Sequence, residues 1–286
     1  MKTTACASVT VALLAGGALL LTPAGRPPAA QIGALKAGGA RDGALALSLA
    51  YDGKLLVKVL ELTIEQHATR TGHSAAARMM SSGIVRLFFH IDTRASVEGP
   101  IEGGEVEPGV FDYGHVGSKR GRTVRVVWRP GDVAVQIDPP FKDMGDPPAS
   151  PAQKLAAADP LTELMRITLA RSRAELCRGS DLFFDGKQLY RLDYSNPRPT
   201  HPTDRETRLG LVNLFRCDAR FHEMAGFGKK PPDKRDQGLK TPVNADFAQA
   251  GEGGPWVVSS VRSQTPLGWA VIELQSMEVA GKVPTS

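Results

Sequence analysis

Histidine, serine and phosphate-binding motifs are the first places to look for chemistry in this sequence. None of the six histidines forms an H-E-x-x-H zinc motif, because His222-Glu223 lacks the second histidine. No G-x-S-x-G element presents a nucleophilic serine, and Gly228-Lys229 lacks the Ser or Thr that follows in a phosphate-binding loop. We therefore predict no catalytic residue, no metal site and no cofactor, and interpret the histidines as scattered surface residues. They are His67, His73, His90, His115, His201 and His222.

A basic run is the densest charged feature of the sequence. On a strand, Arg125 and Arg129 would lie on the same face, close to Trp128. Such a run is typical of a solvated sheet face or of an edge strand protected by charge. The functional alternative is contact with anionic envelope material, such as lipid phosphates or a polyanionic saccharide. The residues of this predicted contact are Lys119, Arg120, Arg122, Arg125 and Arg129.

One amphipathic helix is predicted near residues 159–171. Asp159 suits the N-cap, because its carboxylate can accept a bond from a free backbone N–H of the first turn, and Pro160 suits the first helical position. Four apolar side chains then share one face at helical spacing. This face is either core or, if a curved sheet around it is incompletely filled, the lining of a cavity for an acyl chain. The four residues are Leu161, Leu164, Met165 and Leu169.

The N-terminus is typical of a secretory signal. Lys2 precedes the apolar run Val9–Leu21, and small residues follow up to about Ala30, so we predict a signal peptide over residues 1–30. The run is shorter than the ~20 residues of a membrane span, and the mature chain is predicted to have no transmembrane segment. We expect an exported, periplasmic protein of a Gram-negative envelope, for which nucleic acid is not an expected partner.

Export determines how the cysteines are interpreted. Removing the signal leaves Cys177 and Cys217, which are 40 residues apart. Two cysteines in an oxidising compartment predict a disulfide. A redox-active pair is the alternative, although such pairs are usually close together in sequence.

Turn signals divide the rest of the chain into strands. With 286 residues, of which 30 are glycine and 21 proline, the sequence favours many short strands over long helices. Asp52-Gly53 and Pro130-Gly131 indicate hairpin turns, whereas Val97–Tyr113 is predicted to be mostly loop. We expect a flexible segment over residues 31–43, one mostly antiparallel β domain over 44–280, and a long loop over 226–254. The fold class is mainly β, with a curved antiparallel sheet and one principal helix that covers its apolar face.

Short motifs, taken in order, resemble one known family. The likeness extends from about Leu45 to about Leu274, and the family is the exported proteobacterial domain-of-unknown-function family (DUF) 3108. It implies curved antiparallel sheets similar to periplasmic lipoprotein-carrier folds, where a half-barrel wraps an apolar helix, and it implies no catalytic residues. The motifs are WRPGDV at Trp128–Val133, DPP at Asp138–Pro140, DPLT at Asp159–Thr162, Cys177, FDG at Phe184–Gly186, YRL at Tyr190–Leu192, Cys217, and TPLG at Thr265–Gly268.

Three functions remain open at this point. The leading hypothesis is a non-catalytic envelope protein that binds a lipid or another apolar ligand. The second is a protein-interaction scaffold that holds an envelope protein through the basic strand and the long loop. The third is a hydrolase without a recognisable motif. A cavity beside Met165 would favour the first hypothesis, an exposed apolar patch over a filled core the second, and a carboxylate–histidine pair in a cleft the third.

Overall fold

Antiparallel strands make up most of the regular structure in the computed structural model, which describes residues 44–83, 86, 90–116, 121–228, 242–265 and 268–284. The predicted signal peptide and the segment 31–43 lie outside these residues. The strands are β1 (Leu45–Lys54), β2 (Lys58–Ala68), β3 (Gly72–Ser81), β4 (Asp92–Glu102), β5 (Glu105–Val106), β6 (Val110–His115), β7 (Thr123–Arg129), β8 (Asp132–Asp138), β9 (Ser180–Phe184), β10 (Leu189–Pro199), β11 (Leu211–Ala225), β12 (Val243–Ala250), β13 (Trp256–Thr265) and β14 (Gly268–Gly281). Four short helices accompany them: α1 (Pro151–Leu155), α2 (Pro160–Leu169), α3 (Arg173–Leu176) and α4 (Asp204–Arg208).

All fourteen strands belong to one continuous arrangement. The order is β8-β7-β6-β4-β3-β2-β1-β14-β13-β12-β11-β10-β9, and β5 pairs with β4. Strands β1 and β14 therefore join the N-terminal and C-terminal halves of the sheet at its centre. Among the described residues, β8 and β9 do not pair with each other, so the sheet remains open.

The sheet is curved and wraps around α2. This helix packs against β3, β4 and β5 on one side and against β9 and β13 on the other. The two ends of the sheet also meet through side chains, because the turn at Gly186 lies against Val124, Val126 and Val135 of the opposite end. Ala158 covers the edge of β9 through bonds to the backbone of Leu182 and Phe184. The predicted curved half-barrel around one principal helix is thus the observed fold.

Two glycine-based predictions are wrong for a common reason. Asp52-Gly53 belongs to β1, and the hairpin turns at 55–57 instead. A Cβ at Gly53 would meet the Cβ of Leu60 at 2.8 Å, so this glycine permits close packing across the strand pair. The segment Val97–Tyr113, predicted to be mostly loop, instead holds much of β4, all of β5 and most of β6. Gly109, just before β6, lies so close to β4 that a Cβ on it would likewise meet the backbone of Glu98. At both places the missing side chain of glycine allows two strands to lie close together.

The predicted long loop over 226–254 also needs correction. Residues 229–241 lie outside the described part of the chain, but Val243–Ala250 forms β12 between β11 and β13. Its Phe247 and Ala245 are buried in the same apolar cluster as Phe215. Glycine, proline and charge on both sides conceal this strand in the sequence, whereas burial against β11 stabilises it.

Candidate functional site

Helix α2, inside the curved sheet, begins at a buried N-cap residue. Asp159 accepts hydrogen bonds from the backbone N–H groups of Leu161 and Thr162, both at 2.9 Å, and from the Thr162 hydroxyl. The Asp159 carboxyl is fully buried, and this burial raises its pKa while the three donors oppose the increase. The predicted cap and the proline at the first helical position are confirmed.

The predicted apolar lining of α2 lies in the core. Leu161 is 2% exposed and Met165 is 0% exposed, and both belong to a cluster that also contains Phe111 of β6. Leu164 and Leu169 are partly buried and pack against the same cluster. This arrangement is that of a filled core, so a ligand-binding role for the four residues stays a prediction.

The other side of α2 carries charge into the interior. Glu163 is 6% exposed and pairs with Arg166, whose guanidinium also donates to the backbone oxygen of Val106 at 2.9 Å. Burial raises the pKa of Glu163 to about 7; the Arg166 charge opposes this increase and that of Asp181 adds to it. The Glu163 carboxyl can therefore take up or release a proton near neutral pH without leaving the core.

A second buried carboxyl lies in the turn that joins the two ends of the sheet. Asp185 Oδ1 accepts bonds from the backbone N–H groups of Lys187 and Gln188, and Oδ2 has no hydrogen-bond partner among the described residues. Burial raises the pKa of Asp185 to about 7. The nearby Tyr190 is also buried, and its hydroxyl has no partner within the same residues. The Asp185-Gly186 turn signal alone would indicate an exposed residue, so only its position under Val124 reveals this burial.

The predicted basic patch is divided among separate contacts. Lys119 and Arg120 lie outside the described residues. Arg122 stacks over the ring of Phe141, with its Cζ 3.9 Å from the ring centroid, and Arg125 pairs with Asp112 at 3.1 Å. Arg129 is exposed at the end of β7. Two of the three described arginines thus have contacts within the protein, and binding of an anion by this patch stays a prediction.

The histidines do not all lie on the surface. His73 is buried on β3, where its Nε2 lies 2.9 Å from the backbone oxygen of Glu107, and burial lowers its pKa. His222 lies 2.9 Å from Asp193, but both side chains are about one-third exposed on neighbouring strands. Within the described part of the chain, no three His, Cys, Asp or Glu side chains are placed to hold a metal ion.

The disulfide between Cys177 and Cys217 is present and confirms the predicted pair. It joins the residue that ends α3 to the middle of β11, with 6.1 Å between the Cα atoms. Cys217 is buried in the cluster of Phe215 and Trp256, and Cys177 packs against that cluster. The bridge therefore ties the segment that follows α2 to β11, in the C-terminal half of the sheet.

An open pocket lies beside this bridge, at the end of the sheet where β10 ends and β11 and β13 begin. Its volume is about 550 Å³. Apolar side chains supply much of its wall, and Arg173 of α3 supplies a charge. A neighbouring pocket of about 700 Å³ is lined in part by Arg171, Pro255 and Val283. The first pocket is lined by Arg173, Pro199, Thr200, Pro202, Leu211, Val212, Asn213, Leu214 and Trp256.

Irregular strand geometry shapes this pocket, which explains why sequence reasoning missed it. Strand β11 has a bulge between Val212 and Phe215, and Asn213 within it has a φ of 54°. The bulge turns Leu214 toward one apolar cluster while Phe215 enters another. A positive φ at an asparagine has no reliable signal in the sequence, and the other walls come from distant segments.

No helix in the described residues is long and apolar enough to cross a membrane. No family model and no curated protein matches the sequence, so the resemblance to family 3108 stays a prediction. Two of the solved structures that are similar are the following. The beta-barrel-like protein of domain of unknown function DUF1849 from Brucella abortus has 10% identity and a TM-score of 0.48, over 82% of this chain and 98% of that chain. The hypothetical protein CT021 from Chlamydia trachomatis has 9% identity and a TM-score of 0.30, over 87% and 91%. Both TM-scores are below 0.5, and the fold of this chain is defined by its own strand pairing.

Proposed function

We propose that this protein is a non-catalytic binding protein of the cell envelope, and that its ligand is an amphipathic molecule with an apolar body and an anionic group. The observation that carries the proposal is the open pocket between β10, β11, α3 and β13. This location replaces the helix face, whose side chains pack as core.

The apolar part of the pocket suits a hydrocarbon chain. Leu211, Leu214 and Trp256 are buried at its base, and Pro199 and Pro202 lie on its exposed side. Ligand pockets in proteins commonly enclose about 300–1,000 Å³ and are lined mainly by apolar groups, with a few polar groups that set orientation. The volume of about 550 Å³ lies within that range.

The polar part suits an anion. Arg173 is exposed, and among the described residues it forms no ion pair; its Cζ lies 5.7 Å from the ring centroid of Phe215. A guanidinium in this position can bind a carboxylate or a phosphate through two parallel hydrogen bonds.

The envelope part of the proposal rests on separate features. The predicted signal over residues 1–30 and the Cys177–Cys217 bridge both fit an exported protein in an oxidising compartment. The resemblance to family 3108 agrees with this location.

Ligand capture is tested by native mass spectrometry and by titration with palmitate, using the protein isolated from its own host. We expect a co-purified lipid-mass adduct and saturable palmitate binding. Arg173→Ala should weaken palmitate binding by about tenfold, the effect of losing one charge-assisted contact. Arg178→Ala is the matched control, because Arg178 is exposed nearby but does not line the pocket. A clean apo mass with no saturable palmitate binding would overturn the proposal.

A further inference from the structure

Two neighbouring hairpin tips expose apolar side chains at one end of the sheet. Leu56 and Val57, in the turn between β1 and β2, are 87% and 55% exposed. Trp269, at the start of β14, is 53% exposed. Lys54 pairs with Val271 across β1 and β14, so the turn that follows Lys54 and the start of β14 lie at the same end of these two neighbouring strands. The three apolar side chains thus belong to one tip region.

Charged residues follow the apolar tip in two ordered rows. Lys54 and Lys58 face each other across β1 and β2, immediately behind the tip. A row of acids lies across β2, β1 and β14, two residues from Lys54 along β1 and, because the register shifts here, three residues from Lys58 along β2. Lys58 binds acids of this row at 2.7 and 2.9 Å, and Lys54 binds one at 3.0 Å. The acids are Asp52, Glu61 and Glu273.

We propose that this tip region docks the protein on a lipid bilayer surface. The order from the tip inward is apolar, then cationic, then acidic, which matches the order of acyl boundary, phosphate layer and water at a membrane. Tryptophan favours the membrane interface, and lysine can extend its ammonium group to the phosphates while its stem stays against apolar groups. The acids lie furthest from the membrane and bind both ammonium groups in the free protein, and at the bilayer the lipid phosphates would take their place.

The size and shape of the tip favour a bilayer over a protein partner. Three apolar side chains of at most about 250 Å² each, all partly covered, fall short of the ~800 Å² that each partner buries in a stable protein interface. The exposed β1–β2 turn and the start of β14 can enter the headgroup region without needing a complementary surface. This tip region is also separate from the ligand pocket, which lies at the opposite end of the strands, where β10 ends and β11 and β13 begin.

The test measures binding of the full chain to vesicles of phosphatidylethanolamine and phosphatidylglycerol, by sedimentation and by tryptophan emission. The chain has three tryptophans. Trp256 is buried, and Trp128 is half-buried with its indole N–H donated to the backbone oxygens of Lys154 and Ala157, so Trp269 is the tryptophan whose emission contact at the tip would change. We expect binding accompanied by a blue shift in emission. The double variant Leu56→Ser/Val57→Ser should bind at least about tenfold more weakly, because two exposed apolar side chains no longer enter the interface.

A matched control separates the tip from general surface hydrophobicity. The double variant Leu155→Ser/Met144→Ser also removes two exposed apolar side chains, but from outside the tip, and it should bind vesicles like the parent protein. All proteins carry the same N-terminus, so differences between them report the substitutions. Unchanged Trp269 emission with vesicles, equal losses in the two double variants, or a vesicle-independent dimer that shields Trp269 would each overturn the proposal.

Discussion

The buried Glu163 makes a specific prediction about stability and pH. In the unfolded chain this carboxyl titrates near its ordinary pKa of 4.5, whereas burial in the folded protein raises its pKa to about 7. Between these values the folded chain holds a proton that the unfolded chain has lost. Because the folded state binds more protons in this window, the free energy of unfolding falls as the pH rises from about 4.5 to about 7.

The magnitude follows from the difference between the two pKa values. At about 1.4 kcal/mol per pH unit, a pKa that moves from 4.5 to about 7 corresponds to about 3 kcal/mol of stability that is present below pH 4.5 and lost above pH 7. Glu163→Gln keeps the shape of the side chain and an oxygen that can accept from Arg166, but it cannot ionise. Its stability relative to the parent protein should therefore rise by about 3 kcal/mol between pH 4.5 and pH 8.

The measurement is urea denaturation of both proteins at several pH values between 4.5 and 8, followed by circular dichroism with the disulfide intact. Taking the difference between the two proteins removes the contributions of titrating groups that do not interact with Glu163, whereas Asp159 and Asp181 act on Glu163 and belong to the effect that is measured. Glu278→Gln, which changes an exposed carboxylate on β14, is the control and should keep a constant difference from the parent protein. A difference for Glu163→Gln that stays constant within about 0.5 kcal/mol, or that changes in the opposite direction, would refute the argument.

Three further substitutions test the core, the bridge and the closure of the sheet by urea denaturation. Met165→Ala should lower the free energy of unfolding by about 2–5 kcal/mol, because Met165 is fully buried and its removal leaves a cavity. Cys177→Ser should lower it by about 4 kcal/mol, since the Cys177–Cys217 bridge closes a 40-residue loop of the unfolded chain. Gly186→Ala should cost about 1–3 kcal/mol or more, because Gly186 has a φ of 96° and a Cβ there would meet Val124.

Each of these three predictions has an outcome that would contradict it. A loss below about 1 kcal/mol for Met165→Ala would mean that the interior beside α2 is loosely packed, which would restore the helix face as a ligand site. For Cys177→Ser, reducing the disulfide of the parent protein should lower its free energy of unfolding by a similar amount. A reduced protein with an unchanged free energy of unfolding would show that the Cys177–Cys217 bridge does not stabilise the fold. A fully stable Gly186→Ala variant would show that the two ends of the sheet do not meet closely at this turn.

Much of the local structure follows from the sequence alone. Asp159-Pro160 predicts the start of α2 because a cap and a first-turn proline act within a few residues of each other. Pro130-Gly131 predicts the β7–β8 hairpin for the same reason. The Cys177–Cys217 bridge follows from counting cysteines after export rather than from geometry.

Other features depended on partners that are distant in the chain. A glycine such as Gly53 carries the same sequence signal whether it forms a turn or permits close packing, and only Leu60 on the next strand decides between the two. Val243–Ala250 is a strand because β11 and β13 bury it, although its flanking residues suggest a loop. Local signals reflect bonds within a few residues, so they cannot report which segments the folded sheet brings together.

The candidate functional surfaces likewise divide into features that local sequence predicts and features that depend on tertiary contacts. The sequence by itself determined an apolar helix face, a basic run and an export signal, because these depend on residue type and spacing. Only the tertiary structure decided that Met165 is core, that Arg173 and Trp256 line one pocket, and that Leu56 and Trp269 share one tip. The physical reason is that burial and adjacency are properties of the whole curved sheet, in which β1 pairs with β14 from the other end of the chain.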